Sequence, residues 1–213
     1  MRLHINNLLP VYFDESRKES TGIWGRNLSF TEDEWIKIVA PSGSGKTSLI
    51  HFLYGMRQDY TGTISYDNAD LRIFSKEDLA RIRKDHISIV FQDMKLFANL
   101  TVLENLEIKR QLNPFHPAEK IEEMCSLLGI GDKLKSKCSS CSYGEQQRVS
   151  IIRALLQPFD ILLLDEPFSH LDQVNMEKAL SLISTEAKKR KACTVYTDLE
   201  RNKFFPYTRL LHL

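Results

Sequence analysis

A glycine-rich segment after a β-rich run has the composition of a phosphate-binding loop. It reads Ala40-Pro41-Ser42-Gly43-Ser44-Gly45-Lys46-Thr47-Ser48. Glycines allow backbone N–H groups to point at phosphate oxygens, and the N-terminus of the helix predicted over 47–53 adds its positive dipole. Lys46 would reach the β- and γ-phosphates of a nucleotide, and the Thr47 hydroxyl would ligate Mg²⁺. The segment therefore predicts a nucleotide site, with Ala40 at a first position that is usually glycine.

Two carboxylates follow the most apolar run of the chain. Residues 161–164 are Ile-Leu-Leu-Leu, and Asp165 and Glu166 come directly after them. Only a strand in the middle of a sheet is so uniformly apolar. A core strand whose exit happens to be acidic is the alternative, but a phosphate loop earlier in the chain favours a catalytic role. Asp165 would hold the Mg²⁺ shell, and Glu166 would orient or deprotonate the attacking water.

Strands alternate with helices along the chain, which predicts α/β layering with a mainly parallel sheet. The strand candidates are short runs rich in β-branched, aliphatic and aromatic residues. They are 3–6, 24–30, 35–39, 62–66, 87–91, 161–164, 194–196 and 208–211. The phosphate loop and the two carboxylates both come at the ends of such strands.

The predicted helices carry their own boundary signals. Ser75 and Thr101 are each followed three residues later by an acid, as in a capping box. Pro117 and Gly129 bound a helix of about three turns. Over 92–142 the pattern is helical alone, so we expect a small helical lobe inserted into the sheet domain.

Length and charge fit one neutral globular domain. The chain has 213 residues, 42% of them apolar and 27% charged, and its formal charge is +1. This balance excludes a disordered tail and a strongly basic nucleic-acid binder. The longest apolar run, 161–164, is far shorter than the roughly 20 residues that span a bilayer. Because the first residues also lack a secretory signal, we expect a cytoplasmic protein.

Two smaller features leave alternatives open. The four cysteines, Cys125, Cys138, Cys141 and Cys193, are expected to be reduced thiols. The alternative is a redox-active or metal-binding pair at Cys138 and Cys141. The basic run 188–191 is expected to be the solvated end of a helix that begins near Asp172, with membrane-surface binding as its alternative.

Four further segments occur in a characteristic order around these sites. They are Val90-Phe91-Gln92-Asp93, Leu96-Phe97-Ala98-Asn99-Leu100-Thr101-Val102-Leu103-Glu104-Asn105, Cys141-Ser142-Tyr143-Gly144-Glu145-Gln146-Gln147-Arg148 and Ser169-His170-Leu171-Asp172. With the phosphate loop and the acidic strand end, the chain resembles the ATP-binding subunits of ATP-binding-cassette (ABC) transporters over almost its whole length. Within that family it looks most like the lipoprotein-releasing, macrolide-export and cell-division group.

The resemblance implies a fold and a division of the chain. The fold is that of a P-loop NTPase: an α/β domain with a mainly parallel sheet, an N-terminal antiparallel β part and an inserted helical subdomain. Residues 1–213 would form a single ATPase domain. Its core and β part would comprise 1–92 and 158–213, and the helical subdomain would comprise 93–157.

The resemblance also implies roles for single residues. Gln92 would sense Mg²⁺ or the attacking water and serve as a metal ligand, while Asp172 would belong to the D-loop. Tyr12 would stack on adenine, although Tyr12 and Phe13 could equally be core residues. The signature residues would face the γ-phosphate bound by a second subunit. They are Ser142, Tyr143, Gly144 and Glu145.

Two departures from the family pattern bear on catalysis. Tyr143 replaces a glycine, and a left-handed backbone there would cost roughly 1 to 2 kcal/mol. Thr197 stands before Asp198 where the family normally has a histidine that contacts the γ-phosphate. A threonine hydroxyl can donate a hydrogen bond but carries no charge. We therefore expect normal Mg-ATP binding with slow hydrolysis, or hydrolysis that depends on a partner.

The function implied is an ATPase subunit that energises a membrane complex. Its partners would be a second ATPase subunit, in a homodimer or heterodimer, and transmembrane permease subunits that hold it at the inner face of the membrane. The alternative is an ATP-dependent switch that signals through a membrane partner with little hydrolysis. A DNA-repair ATPase would need a coiled coil longer than the interval of about 50 residues over 92–142, so we expect no nucleic-acid partner. A P-loop kinase would leave 141–148 unexplained.

Overall fold

Two β-sheets and six α-helices form the part of the chain that the computed structural model describes, residues 1–13, 21–199 and 205–213. The strands are β1 (Leu3–Pro10), β2 (Asn27–Phe30), β3 (Trp35–Val39), β4 (Tyr60–Tyr66), β5 (Ala69–Asp70), β6 (Ile87–Val90), β7 (Ile161–Asp165), β8 (Cys193–Asp198) and β9 (Arg209–His212). The helices are α1 (Lys46–Leu53), α2 (Lys76–Asp85), α3 (Val102–Leu112), α4 (Glu119–Leu127), α5 (Tyr143–Leu155) and α6 (Gln173–Arg190).

The first sheet is antiparallel and lies in the N-terminal part of the chain. Its strand order is β2-β1-β4-β5. The register between β1 and β4 shifts after Asn6, and Gly62 lies opposite this irregularity with a φ of +79°. A Cβ at Gly62 would come within 2.3 Å of the Asn7 carbonyl oxygen, so glycine is required there. The expected antiparallel β part is confirmed.

The second sheet is parallel and has the strand order β6-β7-β8-β3-β9. Every residue of β6 and β7 is buried, as expected for strands covered on both faces. The carboxyl ends of β3, β6, β7 and β8 lie at one edge of this sheet. The phosphate loop (residues 40–48), Gln92, Asp165 and Asp198 all follow or end those strands, so the topology gathers them at that edge. The predicted α/β fold is confirmed.

Two apolar clusters cover the faces of the parallel sheet. Ile36 and Ile38 of β3 pack with α1 and the antiparallel sheet on one face. Leu162 and Leu164 of β7 pack on the other face with residues of α3, α4, α5 and α6. Adjacent residues of a strand point to opposite faces, and here both faces are apolar. The stretch 93–157 therefore packs into the same core as the sheet.

Several helix boundaries follow local sequence signals. Ser75, Thr101 and Ser142 each form a capping box with the acid three residues later. Asp172 caps α6 by accepting a hydrogen bond from the Asn175 N–H. The strand predicted over 24–30 is shorter than expected, because Gly25 has a φ of +69° and β2 begins only at Asn27.

None of the helices in the described ranges is long and apolar enough to cross a membrane.

Candidate functional site

The phosphate loop connects β3 to α1. Gly43 and Gly45 have φ angles of +76° and +103°, which L side chains rarely adopt. Gly45 is the residue before α1, and within the described residues no side chain caps this helix. A Cβ at Gly45 would also lie 3.3 Å from the Trp24 ring. The glycines thus shape a loop whose backbone N–H groups and helix terminus are available to an anion.

Lys46 lies inside this loop. Its Nζ donates hydrogen bonds to the carbonyl oxygens of Ala40, at 2.9 Å, and Pro41, at 3.0 Å. The same atom is 3.4 Å from the Glu166 carboxylate, and the Lys46 side chain is only 5% exposed. The loop and the end of β7 therefore meet around one buried cation.

Three side chains with oxygen atoms that could bind a metal ion adjoin the pair of Lys46 and Glu166: Thr47 follows Lys46, Asp165 precedes Glu166, and Gln92 bonds to Glu166. Asp165 is buried, and its Oδ1 accepts a hydrogen bond from Thr197 at 2.8 Å. Its Oδ2 is also buried and has no hydrogen-bond partner among the described residues. The Thr47 hydroxyl donates to the Gln92 Oε1 at 3.2 Å. A buried carboxylate oxygen without a partner beside hydroxyl and amide oxygens suits a hard cation, so Thr47, Gln92 and Asp165 fit Mg²⁺.

Glu166 has a strained backbone and a carboxylate held from two sides. Its φ is +47°, in the left-handed region that non-glycine residues seldom occupy outside functional sites. Gln92 donates from Nε2 to the Glu166 Oε2 at 3.3 Å, and Lys46 lies near Oε1. The side chain that the sequence predicts as the catalytic base therefore faces the phosphate loop.

Thr197 lies directly beside Asp165 in the parallel register of β7 and β8. Its side chain is fully buried, its hydroxyl donates to Asp165, and it accepts a hydrogen bond from the Glu166 N–H at 3.3 Å. The hydroxyl thus links the two carboxylate residues. A role in hydrolysis stays a prediction.

Tyr12 lies near the first turn of α1. Its hydroxyl donates to the Ser48 Oγ at 2.7 Å, and the Arg57 guanidinium is 5.6 Å from the centre of its exposed ring. These contacts place Tyr12 beside the phosphate loop, and its stacking on adenine stays a prediction. The segment 14–20 that follows lies outside the described residues.

A cavity of about 500 Å³ adjoins the phosphate loop. Phe13 and Trp24 line it together with Ala40, Pro41 and Ser44, whereas Tyr12 does not. The Phe13 and Trp24 rings are 6.1 Å apart in an edge-to-face arrangement. The sequence analysis did not assign either residue to the site. Their only signal was an aromatic side chain in the same N-terminal part of the chain as Tyr12, the residue expected to stack on adenine.

The signature segment, residues 141–148, contains the cap residue Ser142 and the first turns of α5. Ser142 accepts a hydrogen bond from the Glu145 N–H at 3.3 Å, and the Glu145 carboxylate accepts one from the Ser142 N–H at 2.7 Å. Tyr143 is the first residue of α5, so this position does not have the left-handed backbone that would carry a cost. Its ring is 68% exposed and lies 5.4 Å from the His170 ring.

Gly144 makes close packing with that loop possible. A Cβ at Gly144 would lie 2.9 Å from the His170 carbonyl oxygen. Among the described residues, no hydrogen bond joins the signature residues 142–145 to the phosphate loop of the same chain. Asp172 acts locally as the cap of α6. The signature residues and the phosphate loop therefore form two separate groups.

The cysteine thiols are buried. Burial raises the pKa of the Cys138 thiol to about 11 and also raises the pKa of Cys141. A raised pKa disfavours the thiolate that redox chemistry and metal binding require. The described part of the chain holds no group of three or more His, Cys, Asp or Glu residues that could bind a metal ion.

Comparison with known proteins gives a family and a fold. Residues 24–169 match the family described as ABC transporter. An uncharacterized ABC transporter ATP-binding protein of Mycobacterium bovis is 31% identical over 180 residues, which are 83% of this chain and 54% of that protein. The macrolide export ATP-binding/permease protein MacB of Pasteurella multocida is 36% identical over 186 residues, 86% of this chain and 28% of that protein. The chain thus spans about half the length of the first relative and less of the second.

A solved structure of an ATP-binding cassette has the same fold. The ATP-binding cassette MJ0796, in a dimeric post-hydrolysis state bound to ADP and Pi, superimposes with a TM-score of 0.80 at 26% identity. The match covers 93% of this chain and 88% of that one.

Proposed function

This chain belongs to the ABC transporter family, and we propose that it is the ATP-binding and ATP-hydrolysing subunit of a transport complex. One observation carries the proposal: Lys46, Thr47, Gln92 and Glu166 are joined by contacts of 3.2 to 3.4 Å at the edge of the parallel sheet, beside the buried Asp165. The dimeric MJ0796 cassette with ADP and Pi supports the same chemistry.

Each of these residues has its own role in the proposed reaction. The N–H groups of the phosphate loop and the Lys46 ammonium bind the phosphate oxygens and stabilise the negative charge that develops on them. Thr47, Gln92 and Asp165 would hold Mg²⁺, which supplies further neutralisation of that charge. The Glu166 carboxylate accepts a proton from the attacking water. Gln92 fixes the carboxylate from the opposite side to Lys46.

We propose that this chain hydrolyses ATP slowly. At the position before Asp198, Thr197 has no charge to offer a γ-phosphate, and its hydroxyl is already bonded to Asp165. In a homodimer both ATP sites would share this feature, whereas in a heterodimer one site would have it. Higher turnover of the purified Thr197→His variant would support this explanation. Unchanged turnover would show that the imidazole is not limiting.

A second subunit would complete each ATP site. The signature residues are separate from their own phosphate loop, and Ser142 and Tyr143 are exposed at the N-terminus of α5. The positive end of this helix would face the γ-phosphate bound by the partner. Two dimeric cassette structures similar to this chain support such an arrangement.

A membrane partner would dock on a groove formed by α3, α5 and the segment after β6. Its apolar wall includes the exposed Phe97, Ile108 and Leu112, and Lys109 and Arg153 also line it. Burial, with the charge of Arg153 as the smaller cause, lowers the pKa of Lys109 to about 8. Neither cation forms a salt bridge with an acid among the described residues. The groove therefore suits an amphipathic, acidic segment of a permease subunit, with 93–157 as the proposed helical subdomain that carries one wall.

ATP turnover and ATP-induced dimerisation of the purified chain test the proposed function. We expect the wild type to release phosphate and Glu166→Gln to form a stable dimer with ATP while losing turnover. Glu77→Gln, an exposed change on α2, is the matched control and should behave like the wild type.

The alternative, an ATP-dependent switch with little hydrolysis, predicts ATP-induced dimers in both the wild type and Glu166→Gln and negligible turnover in both. The uncharged Thr197 is the observation that favours it. Absence of both ATP binding and turnover would contradict both functions.

A further inference from the structure

Gln147 is a fully buried amide in the second turn of α5, with an exposed fraction of 0%. Its Nε2 donates to the Glu166 carbonyl oxygen at 3.2 Å and lies 3.5 Å from the Ser169 Oγ. Its Oε1 accepts a hydrogen bond from the His170 N–H at 2.8 Å. One side chain thus satisfies backbone groups at both ends of the turn that follows β7.

The turn held by Gln147 contains the strained backbone of Glu166. A non-glycine residue remains at a φ of +47° only when its surroundings fix it there. The Gln147 amide and the Thr197 hydroxyl bind the Glu166 carbonyl and N–H respectively. Hydrogen bonds in a buried site are strong, and loss of one partner leaves the other unsatisfied. Gln147 therefore helps to fix the backbone from which the Glu166 carboxylate extends.

The first turn of α5 packs on the same segment. Gly144 allows the His170 carbonyl to approach to a distance that a side chain would block, and the Tyr143 ring packs at a tilt against the His170 ring. The N-terminus of α5 and the segment 166–170 thus form one packed unit. The signature residues are part of this unit, and so is the carboxylate that faces Lys46.

We infer that Gln147 is a positioning residue for hydrolysis, through which the orientation of α5 sets the backbone and the carboxylate of Glu166. The inference rests on the proposed function, in which Glu166 is the base. It predicts that loss of the amide slows the chemical step. We expect ATP binding to be unaffected, because neither Lys46 nor Thr47 forms a hydrogen bond with Gln147 in the described structure.

Steady-state hydrolysis by Gln147→Leu tests the inference. We expect kcat to fall at least tenfold, with less than a twofold change in the KM for ATP. Gln157→Leu is the matched control, since Gln157 is an equally buried amide that bonds to the carbonyl oxygens of Arg83 and Ile87 away from the site. Gln157→Leu should lower the Tm similarly and keep kcat within twofold. An equal loss of kcat in both variants would show general destabilisation and overturn the inference.

Gln147→Glu separates the two hydrogen bonds. A glutamate keeps the acceptor for the His170 N–H and loses the donor to the Glu166 carbonyl, so we expect its kcat to fall as far as that of Gln147→Leu. Near-wild-type kcat in Gln147→Glu would overturn the inference, and so would unchanged kcat in Gln147→Leu. Absence of turnover in the wild type would instead overturn the proposed function.

Discussion

Thr197 stands where the family resemblance leads us to expect a histidine, and its contacts show what the shorter side chain does at this position. The hydroxyl reaches Asp165 at 2.8 Å and the Glu166 N–H at 3.3 Å. A hydroxyl both donates and accepts, so it can satisfy a carboxylate and an N–H together. From β8, Thr197 therefore holds the Asp165 carboxylate and the Glu166 backbone by hydrogen bonds.

Thr197→Val removes the hydroxyl while keeping the shape of the side chain. We expect kcat to fall about tenfold, since a hydrogen bond to a charged group contributes about 1.5 kcal/mol. Thr197→Ser keeps the hydroxyl and serves as the control. Phosphate-release assays that give equal kcat for the valine and serine variants would contradict the role given to the hydroxyl.

Gly144→Ala tests the close approach of α5 to the loop after β7. The added methyl group would lie 2.9 Å from a backbone oxygen, which cannot rotate away as a side chain can. We expect the free energy of unfolding to fall by about 1–3 kcal/mol in denaturant titrations. Gly131→Ala is the control, because its nearest neighbour is the Ser126 Oγ at 3.3 Å and that side chain can move. An equal effect of both substitutions would rule out the backbone contact as the cause.

At the scale of the element, β3 is unusual because a lysine is buried in a strand that has neighbours on both sides. The Lys37 Nζ lies 3.3 Å from the Asp198 carboxylate and 5.5 Å from the centre of the Tyr196 ring, both on the neighbouring β8. Buried charges in proteins are normally paired. This ion pair therefore crosses the two strands whose ends carry the phosphate loop and Thr197.

Lys37→Met should lower the free energy of unfolding by about 3 kcal/mol, because it leaves the Asp198 charge without this cation. The double variant Lys37→Met/Asp198→Asn should lose less than the sum of the two single variants. Chemical denaturation of all four proteins measures the difference. Strict additivity would show that the pair contributes no coupling.

At the scale of the whole molecule, the groove lined by Lys109 lies between the end of β6 and the helices α3 and α5 of 93–157. The folded chain holds Lys109 with a pKa of about 8, below its ordinary value of 10.5, because burial disfavours the charged form. Arg153, which faces it, donates to the carbonyl oxygens of Met94 and Lys95. A surface that keeps two cations at a cost to folding is typical of a binding site.

Lys109→Met should therefore stabilise the isolated chain by on the order of 2 kcal/mol at pH 7. Above pH 8 the folded wild type releases this proton while the unfolded chain keeps it, so wild-type stability rises relative to the variant until about pH 10.5. The advantage of the variant should shrink over that range in denaturation curves measured at several pH values. Lys76→Met, an exposed lysine, is the control. A stability difference between Lys109→Met and the wild type that does not change with pH would contradict the lowered pKa of Lys109.

The sequence by itself determined the features that depend on neighbouring residues. The glycines of the phosphate loop, the capping boxes at Ser75 and Thr101 and the uniform burial of β7 follow from local chemistry within a few positions. Alternation of strands and helices was enough to predict an α/β fold with a mainly parallel sheet, whereas the antiparallel part was expected only from the family resemblance. The order of the segments along the chain was enough to identify the family.

Only the tertiary structure decided the contacts between distant positions. Thr197 meets Asp165 because the register of β7 and β8 sets them side by side, and Gln147 reaches Glu166 because α5 packs on the end of β7. Phe13 and Trp24 line the cavity beside the phosphate loop for the same kind of reason. Strand register and helix packing result from the burial of the whole core, so no short run of residues encodes them.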